Sequence, residues 1–97
     1  MDVIAYPIND DWSTNETIVV HNFLKAVEEA YEQGVPLAQF QTSYRAYKGV
    51  VTSLGEERRL SRQFEALSGS SPFLVVREMK RLQEQGASDN TRIRLTP

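Results

Sequence analysis

Cysteine is missing from this 97-residue sequence. Its absence excludes disulfides, thiolate metal ligands and thiol nucleophiles. Histidine occurs once, as His21, which is too few for a histidine-rich metal site. Apolar runs end after a few residues, far short of the ~20 needed to span a membrane. Met1 to Asp10 has neither the basic region nor the apolar stretch of a secretory leader, so a cytoplasmic location is expected. No glycine-rich phosphate loop and no nucleophile elbow is present. The sequence therefore implies no catalytic residue, no metal site and no cofactor.

What is present is ordinary globular material: 40% hydrophobic and 25% charged residues, too apolar and too balanced for a disordered chain. The length suits one core with little left over for a deep cleft. We read residues 1–86 as a single helical domain and residues 87–97 as a C-terminal tail. The net charge of -2 is unevenly spread. Residues 1–35 hold seven acids and one base, net -6, whereas residues 36–97 hold ten bases and six acids, net +4. The simpler expectation is that the two halves lie together and neutralise each other. The alternative is an acidic partner for the second half.

Punctuation by glycine and proline suits four helices. Ser13-Thr14-Asn15-Glu16 is a capping box that starts the first, near residues 14–33. Val20, Phe23, Leu24, Val27, Ala30 and Tyr31 form its buried stripe, and Gly34 supplies a left-handed stop. Pro36 fits the first turn of a second helix over 36–49, with Leu37, Phe40, Tyr44 and Tyr47 inward. Ser53 and Glu56 form another box for a third helix, 54–67, with Leu60, Phe64 and Leu67 inward. Ser71 and Pro72 open a fourth, 72–85, whose stripe is Phe73, Val76, Met79 and Leu82. Phe23, Leu24, Val27, Phe40, Leu60, Phe64, Val76 and Met79 are expected to share one core. Thr91 to Thr96 alternates like a short strand and is expected to pair with Val3-Ile4-Ala5-Tyr6 or with another chain. The fold class is all-α, a compact array of about four short helices that admits short extended segments at its termini.

Tyr6-Pro7-Ile8 followed by Trp12-Ser13-Thr14 and Glu16, then Tyr44-Arg45-Ala46-Tyr47-Lys48 and Val50-Val51, form an ordered set of motifs. Glu56-Glu57-Arg58, Phe64-Glu65-Ala66-Leu67-Ser68-Gly69 and Val75-Val76 continue it. In order and spacing this set, over roughly residues 6–82, resembles uncharacterised protein family 0223, small proteins of Gram-positive bacteria. The resemblance implies a compact array of about four helices and implies no activity. Thr52 stands where that pattern has proline, Leu54-Gly55 replaces a more helix-prone pair, and Ser70 stands where it has an aromatic.

Among candidate sites, His21 could act as a general base with Asp10 or Asp11 and a serine, but a lone histidine on a helix face is more often a surface or half-buried residue. Glu28, Glu29 and Glu32 could hold a hard cation, but without further ligands they read as a solvated acidic face. Tyr6, Trp12, Tyr44 and Tyr47 read as core pieces with wet polar tips rather than a binding hot spot. The bases carry more information. Arg58 and Arg62 are four residues apart, as are Arg77 and Arg81, with Lys80 beside them. Like charges at this spacing repel unless something answers them, and Glu57, Glu65, Glu78 and Glu84 are placed to answer locally. Arg58, Arg62, Arg77, Lys80 and Arg81 are therefore the candidate partner-binding residues, and the expected partner is an acidic protein surface. Pairing of these arginines with Glu28, Glu29 and Glu32 inside the bundle is the competing account. The function expected is a non-enzymatic interaction or adaptor module. The runner-up is a nucleic-acid-associated regulator using a basic patch on helices three and four, for which the Ser68–Pro72 turn admits a helix-turn-helix arrangement. The acidic total weighs against it. An enzyme built on an anion site ranks third.

Overall fold

The computed structural model describes residues 6–96. Its elements are α1 (Thr14–Tyr31), β1 (Val35–Pro36), α2 (Leu37–Val50), α3 (Leu54–Ser68), α4 (Pro72–Glu84) and β2 (Arg92–Ile93). The four helices lie within about two residues of the expected boundaries, and the two strands make one small antiparallel sheet.

Local chemistry sets the helix starts. Ser13 Oγ accepts from the Glu16 amide at 3.1 Å, and Glu16 Oε1 accepts from the Ser13 amide at 2.8 Å, so both halves of the capping box form. At α3 one half forms, with Ser53 Oγ accepting from the Glu56 amide at 3.2 Å. At α4 Ser71 Oγ accepts from the Leu74 amide at 3.2 Å, ahead of Pro72 in the first turn. Gly69, with φ of 78°, closes α3 in the left-handed conformation that glycine adopts without strain.

The start of α2 is different. Pro36 sits just before the helix, paired in β1, and no side chain caps it. The tail does so instead. The Leu37 amide donates to the Thr91 carbonyl at 2.8 Å and the Ala38 amide to the Asp89 carbonyl at 3.2 Å. Val35 pairs with Ile93 and Pro36 with Arg92. The Leu95 amide then donates to the Ala30 carbonyl at 2.8 Å, satisfying an orphan carbonyl at the end of α1. The strand expected in the tail therefore exists but pairs with the α1–α2 connection. Residues 3–5 of the partner segment first expected lie outside the described residues. Gly34 makes this approach feasible. Its φ is 88°, and a Cβ there would lie 3.3 Å from the Ile93 carbonyl oxygen.

The core gathers Val20, Phe23, Leu24, Ala26, Val27 and Ala30 of α1 with Leu37, Phe40 and Tyr47 of α2. Leu60 and Phe64 of α3, and Val75, Met79 and Leu82 of α4, complete it, together with Val35, Val51 and Ile93. Phe23 stacks on Tyr47 at 4.2 Å between ring centroids and tilts against Phe40 at 5.5 Å. Such pairs add about 0.5–1.5 kcal/mol each beyond the burial of their area.

Two expectations about facing are corrected. In α4 the buried positions are Pro72, Val75, Met79 and Leu82, a stripe displaced by one residue at its start from the expected one. Val76 is only half-buried, and Phe73 is 64% exposed. Phe73-Leu74-Val75-Val76 is apolar all round, so period alone does not choose the face. Leu67, expected inward, is 56% exposed, because Leu60 and Phe64 already carry the buried face of α3.

Candidate functional site

A groove of about 550 Å³ lies between α3 and α4, within the size range of ligand pockets. The α3 wall presents Leu54, Arg58, Ser61, Arg62 and Glu65, residues that recur every three or four positions and so share one helix face. The α4 wall presents Phe73, Val76, Arg77 and Lys80 by the same logic. Tyr44 and Tyr47 of α2, backed by Phe23, close the floor. The Phe73 amide donates to Ser61 Oγ at 3.3 Å, which pins the start of α4 to the middle of α3. Tyr31 OH accepts from the Ser71 amide at 3.2 Å and holds the turn between them against α1.

The floor is electrostatically settled. Glu57 accepts from Lys48 Nζ at 2.7 Å and from Tyr44 OH at 3.1 Å. Burial, reinforced by the Glu57 carboxylate, pushes the Tyr44 phenol up to about 12, so it stays a neutral donor. Burial first, then Glu57, also raises Tyr47. With Glu57 balanced by Lys48, the groove retains four cations, Arg58, Arg62, Arg77 and Lys80, against one acid, Glu65. No ion pair among the described residues engages those four cations.

Four of the five candidate partner-binding residues therefore meet in one groove. The fifth, Arg81, does not line it. Its Nε and Nη2 donate to the two Glu78 carboxylate oxygens at 2.7 and 2.6 Å, one turn back along α4. This fork holds the Glu78 carboxyl below its ordinary value, with the Arg81 hydrogen bond as the main cause. The competing account, in which the arginines pair with Glu28, Glu29 and Glu32, finds no ion pair among the described residues. The ion pairs among the described residues, Lys48–Glu57, Arg59–Glu56 and Arg81–Glu78, all lie within the basic half of the chain. Among the described residues, neutralisation between the acidic and basic halves thus does not take the form of direct pairs.

The remaining candidates fall elsewhere. Glu28 accepts a hydrogen bond from Tyr6 OH. Burial, that hydrogen bond and the charges of Glu28, Glu32 and Glu29 raise the Tyr6 phenol above its ordinary value. The Tyr6 ring meets His21 edge-on at 5.1 Å and Phe64 at 5.4 Å. His21 Nε2 is enclosed without a hydrogen-bond partner among the described residues, so no hydrogen bond orients this ring nitrogen toward Asp10 or Asp11. Tyr6, Trp12 and Tyr44 are half-buried against the core, and Tyr47 is part of it. Among the described residues, no cluster of three or more histidine or acidic side chains is placed to hold a metal ion, and no helix is long and apolar enough to cross a membrane.

The sequence reading missed the apolar part of the groove. Phe73 and Leu54 are 64% and 57% exposed, large side chains left uncovered beside the cations. The four-residue apolar run at the start of α4 was the available signal, since one buried stripe cannot hide it all.

Residues 3–88 match the Uncharacterised protein family (UPF0223). The chain belongs to this family. A UPF0223 protein of Enterococcus faecalis is 45% identical over 76 residues, covering 78% of this chain and 83% of that relative. One from Listeria monocytogenes is 43% identical, covering 78% and 84%. One from Streptococcus uberis is 40% identical over 83 residues, covering 86% and 90%. These relatives come from Gram-positive bacteria. All four helices, and so both groove walls, lie within the UPF0223 match, whereas β2 lies beyond it.

Proposed function

We propose that this UPF0223 protein is a non-enzymatic interaction module that docks an acidic protein segment in the α3–α4 groove. One observation carries the reading. Four cations without ion-pair partners among the described residues share one groove with exposed Phe73 and Leu54 over an aromatic floor. Unanswered like charges along a helix face are unfavourable in isolation, and an incoming acidic surface relieves them. Aromatic side chains and arginine are the residue types that dominate interface hot spots. A net charge of -2 on the whole chain favours protein over nucleic acid as the acidic partner, because phosphate-backbone binding draws on a general basic excess.

The test uses three peptides of one length: acidic with leucine anchors, the same with lysine in place of each acid, and the same acids with serine in place of leucine. Each is titrated into isotope-labelled protein. Shifts should concentrate at Arg58, Arg62, Phe73, Arg77 and Lys80, follow the order acidic-anchored above either control, and weaken as salt rises. Equal binding of the lysine peptide, or shifts centred away from the groove, would overturn the reading. Tighter binding of a DNA or RNA oligonucleotide at the same residues would instead favour a nucleic-acid-associated regulator.

A further inference from the structure

We infer that the occupant of the α3–α4 groove is an amphipathic helix carrying an apolar stripe flanked on both sides by acids. The inference rests on the docking reading above and adds the conformation and charge layout of the partner. Three features point to it.

The first is spacing. Arg58 and Arg62 stand one turn apart on the α3 wall, and Arg77 and Lys80 stand one turn apart on the α4 wall. Cations separated by a helical turn, about 5–6 Å, match acids placed at i and i+3 or i+4 on a docked helix. Because the two pairs sit on opposite walls, the match asks for acids along both flanks of the occupant.

The second is the apolar surface that shares the groove with those pairs. Leu54, Tyr44, Val76 and Phe73 line the groove together. A helix laying i, i+3/i+4 and i+7 anchors along such a surface is a recurrent recognition mode.

The third is the backbone. The groove walls are helices, bonded along their own backbones, and the Phe73 amide in the first turn of α4 is taken by Ser61 Oγ. The paired strand residues, Val35, Pro36, Arg92 and Ile93, do not line the groove. An extended segment would therefore find no strand edge to pair with, and its own polar backbone would lie unpaired against apolar surface, which is costly. A helix brings its backbone bonds with it.

The experiment compares two versions of the acidic, leucine-anchored peptide. One is locked helical by a side-chain staple on the face opposite the leucines. The other carries two prolines on that same face, which prevent the helix. Binding to the intact protein is measured by titration calorimetry and mapped by backbone shifts. The locked peptide should bind at least about tenfold more tightly, as expected when the ordering cost is removed in advance. Arg58→Glu combined with Arg77→Glu should remove that binding, and Phe73→Ser should weaken it. All three side chains are exposed, and circular dichroism will verify that the variants remain folded. Equal binding of the proline and stapled peptides at the groove would overturn the helix and leave the docking reading standing. No binding of either peptide would overturn both. Equal binding of a stapled peptide with acids on one flank only would overturn the two-wall layout.

Discussion

The backbone amide of Leu37 donates to the carbonyl of Thr91 at 2.8 Å, so the first turn of α2 is capped from the far end of the chain. Two residues further on, Ile93 is fully buried opposite Val35. The tail thus seals the corner between α1 and α2 both by hydrogen bonds and by apolar burial.

It follows that Ile93→Ala should destabilise the whole domain. Removing a buried aliphatic side chain of this size costs about 2–5 kcal/mol. Deleting residues 88–97 should cost at least as much, since the caps of Leu37 and Ala38 go with it. Urea unfolding followed by circular dichroism measures both. A loss under about 1 kcal/mol for Ile93→Ala would mean that the tail is not part of the cooperative unit.

Phe64 and Phe73 make a paired test of facing. Phe64 is fully buried and meets the Tyr6 ring at 5.4 Å. Its replacement by alanine should cost roughly 3–5 kcal/mol, a large part of the stability of a domain this small. Phe73→Ala should change stability by no more than about 0.5 kcal/mol, because the ring is mostly in water. If the two variants are equally destabilised, the assignment of Phe73 to a surface groove fails.

Much of this arrangement is legible in the sequence, and the exceptions have physical causes. Ser13 with Glu16, Gly34, Gly69 and Ser71-Pro72 act locally, so the helix ends are readable from neighbours within a few residues. The face of α4 is not, because Phe73, Leu74, Val75 and Val76 offer apolar surface in every direction and only tertiary packing selects Val75. The destination of the tail is hidden for another reason. A two-residue strand has no period, and its partner Val35-Pro36 reads equally well as the opening of a helix. At the site, the spacing of Arg58 with Arg62 revealed the α3 wall. On α4 the same rule grouped Arg77 with Arg81, whereas Glu78, three residues before Arg81, takes that side chain away from the groove.

Alkaline pH should reveal the buried phenols. The phenol of Tyr44 is raised to about 12, and those of Tyr6 and Tyr47 are also raised, in each case mainly by burial. An unfolded tyrosine ionises near 10. Between about pH 10 and 12 the unfolded chain therefore binds fewer protons than the folded one, and stability falls as pH rises. The contribution is fully present below pH 10. A spectrophotometric titration should show the phenolates of Tyr6, Tyr44 and Tyr47 appearing late and together with loss of helix. Early ionisation of Tyr6, Tyr44 and Tyr47, with helix intact, would contradict their packing.

The division between Arg77 and Arg81 gives the sharpest test of the groove. Both are exposed arginines on α4, one turn apart, with the same intrinsic chemistry. Arg77 lines the groove and has no ion-pair partner among the described residues, whereas Arg81 is engaged by Glu78 and points elsewhere. Arg77→Glu should therefore weaken the acidic, leucine-anchored peptide at least about tenfold, since a lost attraction becomes a repulsion. Arg81→Glu should weaken it clearly less than Arg77→Glu does, because this side chain lies outside the groove and is already held by Glu78. Pairing of Arg77 with the acids of α1 would make Arg77→Glu destabilising instead. The absence of such pairs among the described residues predicts a Tm change of no more than about 2–4 °C for that variant. Calorimetry of binding and of unfolding on the same two proteins separates the outcomes. Equal loss of binding in both variants would mean that net charge, not the groove, attracts the peptide. A large drop in Tm for Arg77→Glu with binding retained would return Arg77 to an internal role in the bundle.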